Sequence, residues 1–193
     1  MKSIAIFCGS SRGLSEVYAQ AAETVIREMI GRRCNLVYGG GHVGLMGVLA
    51  DHMIEGGGHV TGVIPRFLLE KEVAHMRLPE LIVVDTMHER KMRMFELSDA
   101  FIALPGGFGT LDEFFEIVTW LQLGLHRKPV GILNVAGFFN PLLEQLAAMV
   151  REGFLKEENQ NLIVSSHEAG HLLVAMETVR IPKIDKWIHL KQT

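Results

Sequence analysis

Two stretches of this chain carry residues whose types and spacing could do chemistry. The first is Pro105-Gly106-Gly107-Phe108-Gly109-Thr110-Leu111-Asp112-Glu113, with Glu116 following. On a helix, Glu113 and Glu116 share a face and Asp112 lies near its edge. The glycines ahead of them leave backbone open to a ligand, and a helix start points free N–H groups at an anion. Thr110-Leu111-Asp112-Glu113 also fits a capping box, with Thr110 capping the helix and Glu113 reaching back to its backbone N–H. Early acids suit the helix dipole as well, so a structural role stays open beside the chemical one.

The second stretch is Met87-His88-Glu89-Arg90-Lys91-Met92-Arg93. Arg90, Lys91 and Arg93 form a cationic cluster in a chain of net charge −3. Arginine offers bidentate recognition of phosphate. The plain alternative is a solvated helix face paired with acids such as Glu89. A cationic helix set beside an acidic one is what makes a site here.

These stretches need elements to position them. Apolar runs at 4–8, 36–38, 60–64, 81–84, 100–104, 130–133 and 162–164 mostly lack polar alternation, as strands covered on both faces do. Between them the pattern expects helices near 15–32, 45–55, 88–98, 111–123, 141–152 and 168–178. Strand–helix alternation of this kind predicts an α/β fold, a single-domain, doubly wound parallel sheet flanked by helices. Ligands of such sheets bind at the carboxyl ends of the strands. Three loops on that edge are rich in glycine or serine: Gly9-Ser10-Ser11-Arg12-Gly13, Gly39-Gly40-Gly41-His42-Val43-Gly44 and the loop from Pro105 to Thr110. Together they point to a phosphate-bearing ligand, with Ser10, Ser11, Gly40, Gly41, Gly107, Gly109 and Thr110 as phosphate contacts.

Other motifs carry less. Gly39-x-Gly41-x-x-Gly44 satisfies the dinucleotide pattern, but it follows the second strand and no acid for a ribose ends the next one. A turn supporting a mononucleotide is the better reading. His167-Glu168-Ala169-Gly170-His171 matches H-E-x-x-H. It sits at a helix start, just after an N-cap expected at Ser165 or Ser166, it contains a glycine, and no third ligand stands nearby; solvated surface histidines are favoured over zinc.

The 193 residues, 48% apolar and 21% charged, suit one globular domain over about 1–180 with a tail at 181–193. The charge offers no basic field for nucleic acid or an anionic membrane. Cys8 and Cys34 show no Cys-x-x-Cys spacing and read as reduced thiols of a cytoplasmic protein. The run at 4–8 is too short for a signal-peptide core or a membrane span.

The nine residues from Pro105 to Glu113 resemble the P-G-G-x-G-T-x-x-E signature of the LONELY GUY family, the cytokinin riboside 5′-monophosphate phosphoribohydrolases, which older naming calls lysine decarboxylase-like. Met87-His88-Glu89-Arg90-Lys91 is similar to the family's second motif. Cys8-Gly9-Ser10-Ser11, Tyr38-Gly39-Gly40-Gly41-x-x-Gly44-Leu45-Met46-Gly47, Thr119-Trp120-x-Gln122-Leu123-Gly124 and Lys128-Pro129-Val130-Gly131 continue the likeness, which runs from about Lys2 to Thr178. The resemblance implies a Rossmann-like fold and hydrolysis of the N-glycosidic bond of a nucleoside 5′-monophosphate, giving free base and ribose 5-phosphate. It implies Arg90 and Glu113 as the catalytic pair, with Lys91, Gly106 to Thr110 and Thr119 in the substrate site and Glu72 as a further substrate-contacting acid. Asp112 stands where many members carry Glu. The resemblance also implies a homodimer with the site near the subunit interface.

Breaking a ribosyl C–N bond builds positive charge on the sugar, which a carboxylate near C1′ can stabilise while it orients or deprotonates water. Glu113 takes that role in this reading, Glu116 supports it, Arg90 anchors the substrate and Met46 lines the base pocket. The chemistry calls for no metal and no organic cofactor. Pyridoxal-dependent decarboxylation lacks a suitably placed lysine with an acidic partner. Two alternatives remain: an AMP nucleosidase of purine salvage, and a non-catalytic carrier of a nucleotide or of the molybdenum cofactor.

Overall fold

The structure, a computed structural model, describes residues 1–69 and 74–181. Its elements in chain order are β1 (Ser3–Phe7), α1 (Val17–Gly31), β2 (Asn35–Tyr38), α2 (Gly44–Glu55), β3 (Val60–Pro65), α3 (Arg66–Leu69), β4 (Glu80–Val84), α4 (Met87–Leu97) and β5 (Ala100–Ala103). They continue with α5 (Phe108–Gln122), β6 (Val130–Leu133), a 3-10 turn (Val135–Gly137), α6 (Asn140–Arg151), α7 (Glu157–Gln160), β7 (Ile163–Ser166) and α8 (Ala169–Thr178). The strands form one seven-stranded sheet in the order β4-β3-β2-β1-β5-β6-β7, and every pairing within it is parallel. The expected α/β doubly wound sheet is therefore the observed one.

The strands are apolar throughout because both faces are covered. In β1, Ile4 and Ile6 join a core with residues of α1, α2 and α8, while Ala5 and Phe7 face a second core with residues of α4 and α5. β5 divides the same way, Ala100 and Ile102 to one side and Phe101 and Ala103 to the other. Fully burying a side chain of this size is worth roughly 1.5–3 kcal/mol.

From β1 to β4 the chain steps outward along the sheet; α4 then carries it back beside β1 as β5, and the remaining strands step the other way. The order reverses between β1 and β5. A crevice opens at the carboxyl ends of two strands whose connections leave in opposite directions, so this is where the fold provides room for a ligand.

Two local expectations are corrected. The helix after β5 begins at Phe108, three residues before the expected start, with Gly107 as its N-cap and no side chain bonding the cap. Thr110 is thus inside the first turn, and the capping box read at Thr110 and Glu113 does not form. A Cβ on Gly106 would strike Thr110 Oγ1, so the packing of that hydroxyl against the loop replaces its capping role. At α8 the N-cap is Glu168, not Ser165 or Ser166, which belong to β7. His167 stands before the helix and its Nδ1 meets the Asn134 carbonyl at 2.7 Å, so the two histidines of H-E-x-x-H do not share a helix face. Of the expected tail at 181–193, residues 182–193 lie outside the described residues, as does Glu72.

Candidate active site

Three strand-end loops meet over the gap between β1 and β5, and Gly9 joins them. Its N–H donates to Pro105 O at 3.0 Å, and its carbonyl accepts from Leu45 N at 3.1 Å. Gly44 adopts φ +63°, and a Cβ there would overlap the backbone of Ser10. The first loop is therefore clamped between the second and the fifth-strand loops. They enclose a cavity of about 620 Å³, within the usual size for a small-molecule site.

One wall of the cavity is the start of α5. Gly107, Phe108, Gly109 and Thr110 line it. Among the described residues, chain neighbours and the helix's own backbone apart, nothing lies within 4 Å of where a Cβ on Gly107 or Gly109 would stand, so packing against the rest of the fold does not require either glycine. Their bareness leaves the first-turn N–H groups of a fifteen-residue helix accessible to an anion. Val43, Met46, Ile64, Leu68 and Met87 add an apolar part to the lining.

The lining also holds an ion pair. Arg90 Nη2 lies 3.1 Å from Glu113 Oε1, with the two side chains only 11% and 9% exposed. Arg90 comes from the first turn of α4. That helix start is fixed by the T-x-x-E pattern: Thr86 Oγ1 accepts from Glu89 N at 3.1 Å, and Glu89 Oε2 accepts from Asp85 N at 2.9 Å. The other end of α4 is held by Lys128, whose ammonium donates to Phe95 O at 2.6 Å and lies over the Phe95 ring. Phe95 in turn stacks on Phe101 of β5. Glu113 comes from the core-facing stripe of α5, which also carries Thr110, Phe114, Ile117 and Val118. A carboxylate takes a core position here because a guanidinium meets it.

Burial pushes the Glu113 carboxyl above its ordinary range; the Arg90 charge opposes this, Asp112 and Glu116 add to it, and Lys91 opposes it. The Cys8 thiol, which also lines the cavity, is pushed far up by burial and by Glu113, so it remains protonated at neutral pH. Arg90 Nε is buried without a partner among the described residues. A buried donor with no acceptor costs about 1–3 kcal/mol, and a ligand oxygen would supply the missing acceptor. The arrangement thus offers a buried carboxylate of raised proton affinity, a fixed cation beside it, a helix start able to hold an anion, and an apolar part of the lining.

The cavity brings together Ser10, Gly41, Met46, Arg90, Gly107, Gly109, Thr110 and Glu113 among the residues expected from sequence. Others lie elsewhere. Gly40 turns its carbonyl to His75 N and backs onto Ile64 and Leu81. Ser11 and Gly106 line a smaller adjoining cavity with Tyr18 and Phe138. Lys91 bridges to Asp112 and Glu116, each at 3.2 Å. Glu116 and Thr119 border an open depression on the outer side of α5 with Phe115 and Trp120. Phe108 lines the cavity too, as the expected run from Gly106 to Thr110 implies, and Gly39, Val43 and Met87 come from stretches already quoted, whereas Ile64 and Leu68 were not singled out. Those two gave no signal, because a lining residue and a core residue look alike in sequence.

The family model described as "Possible lysine decarboxylase" matches residues 46–176. The chain is 48% identical over 179 residues to cytokinin riboside 5′-monophosphate phosphoribohydrolase LOG5 of Arabidopsis thaliana, covering 93% of this chain and 78% of that protein. It is 46% identical to cytokinin riboside 5′-monophosphate phosphoribohydrolase LOG of Oryza sativa subsp. japonica, covering 91% and 73%. Among solved structures, the molybdenum cofactor binding protein of Rippkaea orientalis aligns with a TM-score of 0.68 at 19% identity, over 92% of this chain and 96% of that one. The molybdenum cofactor carrier protein of Chlamydomonas reinhardtii aligns with a TM-score of 0.68 at 16% identity, over 91% and 96%. Those two likenesses concern the fold alone. The sequence likeness spans the loops, α4 and α5 that build the cavity, and by it the chain belongs to the LONELY GUY family of cytokinin riboside 5′-monophosphate phosphoribohydrolases.

Proposed function

We propose that this protein hydrolyses the N-glycosidic bond of N6-substituted adenosine 5′-monophosphates, releasing the free base and ribose 5-phosphate. The observation that carries the reading is the buried Arg90–Glu113 pair at the foot of an uncapped helix start. The 5′-phosphate is held by the first-turn N–H groups of α5, with Ser10 opposite. The base lies against Met46 and its apolar neighbours, which suit an N6 substituent without a polar demand. C1′ then faces Glu113. As the C–N bond breaks, positive charge grows on the ribose, and the carboxylate stabilises it. Water adds its oxygen to C1′ and gives a proton to Glu113, and Glu113 returns that proton to the departing base, directly or through solvent. Arg90 favours the ionised form of Glu113 against the effect of burial, and anchors the substrate through its Nε–H, which has no partner among the described residues.

A decarboxylase acting on lysine would require pyridoxal phosphate carried on a lysine. The residues do not fit that group. Among the described residues no lysine lines the cavity, and the Lys91 amine is engaged by Asp112 and Glu116. A nucleotide or cofactor carrier would use the loop but has no need of a buried acid beside C1′.

The protein acts as a cytoplasmic homodimer in this reading. Phe108, Met92 and Met87 are exposed, and Phe115 and Trp120 are half-buried around the depression beside Glu116, an apolar face that a second copy would cover next to the site. Among the described residues no helix is long and apolar enough to cross a membrane. Both cysteines are unpaired, in keeping with a reducing compartment.

The test is to incubate the protein with AMP, GMP, CMP and isopentenyladenosine monophosphate and measure free base by chromatography. Release is expected from the adenine nucleotides, fastest from the N6-substituted one. Release from none overturns the reading; equal release from the corresponding nucleosides removes the phosphate role of the α5 start.

A further inference from the structure

His75 is 4% exposed and has no part in the reaction described above. It follows Ala74, which bridges to Gly41 in antiparallel sense, and its own N–H donates to the Gly40 carbonyl at 2.8 Å. The ring is held on both sides. A backbone N–H can donate but not accept, and that of Arg77 meets Nδ1 at 3.3 Å, so the ring carries its proton on Nε2. Nε2 then donates to Asp51 Oδ1 on α2 at 3.0 Å. The same carboxylate oxygen accepts from the exposed Arg77 guanidinium.

These bonds brace the second glycine loop from behind. Gly40 holds φ +74°, and the run Gly39-Gly40-Gly41 has no side chains of its own to fix it. One end of the brace is the Gly40 carbonyl. The other is α2, the helix into which the loop leads. Neither Asp51 nor His75 lines the cavity, but Gly41 does, and Gly39 lies against the Arg90 guanidinium. A shift at Gly40 therefore passes to Gly39, from there to Arg90, and so to its pairing with Glu113.

We propose that Asp51 and His75 are positioning residues: their hydrogen bond fixes the run from Gly39 to Gly41 so that Arg90 meets Glu113. This rests on the nucleotide hydrolase reading given above. Asp51→Ala is expected to lower kcat about tenfold and to change KM less than about threefold, because the phosphate grip at the start of α5 is untouched. Alanine is the best helix former, so α2 survives the change. His75→Asn keeps an acceptor for the Arg77 N–H but no longer reaches Asp51, and should match Asp51→Ala. Asp51→Asn keeps an oxygen for the Nε2 proton and should retain kcat. Arg77→Gln removes an exposed guanidinium but not the backbone N–H, and should leave the kinetics as in wild type.

The experiment measures base release from isopentenyladenosine monophosphate and thermal melts for wild type and these four variants. NMR reads the nitrogen resonances of the His75 ring, the Gly40 amide and Arg90 Nε in the same set. Expected are a ring protonated on Nε2 in wild type, and Gly40 and Arg90 resonances that move in Asp51→Ala and His75→Asn but not in Arg77→Gln. A raised KM with unchanged kcat overturns the proposal in favour of a role in shaping the base pocket. A lowered melt with wild-type kinetics overturns it in favour of stability alone. A loss in Asp51→Asn equal to that in Asp51→Ala assigns the effect to the Asp51 charge and overturns the hydrogen-bonded brace. If wild type releases no base but the Arg90 resonance moves as described, the hydrolase reading fails and the positioning proposal stands. If that resonance is unmoved in both Asp51→Ala and His75→Asn, the proposal fails whatever the activity.

Discussion

The guanidinium of Arg90 lies against the bare Cα of Gly39, where a Cβ would overlap Nη2. Gly39 has no left-handed backbone angle to demand glycine. The three atoms nearest to such a Cβ all belong to Arg90, so its smallness makes room for that side chain. The end of β2 therefore decides where the cation of α4 rests, and through it where Glu113 is held.

Gly39→Ala should push the guanidinium from Glu113 while leaving the sheet intact. Misplacing a catalytic group by about 1 Å can cost on the order of 100-fold. Base-release kinetics are expected to show a loss of that order in kcat/KM, with a thermal melt retaining one cooperative transition. Wild-type kinetics would show that Arg90 does not depend on this seat.

Glu113→Gln keeps the shape and the hydrogen-bonding reach of the side chain but cannot take a proton. Turnover should fall by about 100-fold to 10,000-fold. Nucleotide affinity, measured by isothermal titration, should change little, because the phosphate is held at the start of α5. Near-normal turnover would take Glu113 out of the mechanism.

The acid side of the pH profile follows from the same carboxyl. Burial raises its pKa above the ordinary 4.5, with Arg90 opposing. The reactive form is ionised, so kcat/KM is full above the raised value and is lost as pH falls through it. The limb should therefore lie above 4.5, and Arg90→Gln, which removes the chief opposing charge, should move it further up. A limb at or below the ordinary value in wild type would contradict the burial of a functional Glu113.

Thr86→Ala removes the cap that starts α4. The expected loss is about 1 kcal/mol of unfolding free energy, read from a urea transition. Thr86→Ser should recover most of it. Because Arg90 lies in the turn that Thr86 organises, the alanine variant should also lose activity, and the serine variant should restore stability and activity together.

How far the sequence foretold this structure differs by level. The strands were legible because a parallel sheet covered on both faces writes itself as short unbroken apolar runs; β6 falls where its run does, and β1 differs by one residue at each end. Helices α3 and α7 were not legible, since four residues carry too little periodicity. The start of α5 was misplaced because Gly107, Phe108 and Gly109 are poor helix signals, and only the packing of Gly106 under Thr110 and against Gly9 settles it. The same T-x-x-E spacing occurs at Thr110, where no cap forms because the helix has already started, and at Thr86, where the cap forms. Arg90 and Glu113 were legible as residue types. Their meeting depends on α4 carrying the chain from the sheet edge back to β5, a long-range return that no local spacing records.

The Arg90–Glu113 pair also bears on how the molecule comes together. Each of these groups is nearly buried, and each belongs to a different helix. Burying either charge without the other costs several kcal/mol, a large part of the stability of a domain this size. A state with α4 seated and α5 still loose, or the reverse, is penalised by a stranded charge. The two helices are thereby pressed to settle in a single cooperative step. Completing this edge of the sheet and arming it for reaction become one event, because the two charges that do the work are the two that cannot be buried apart.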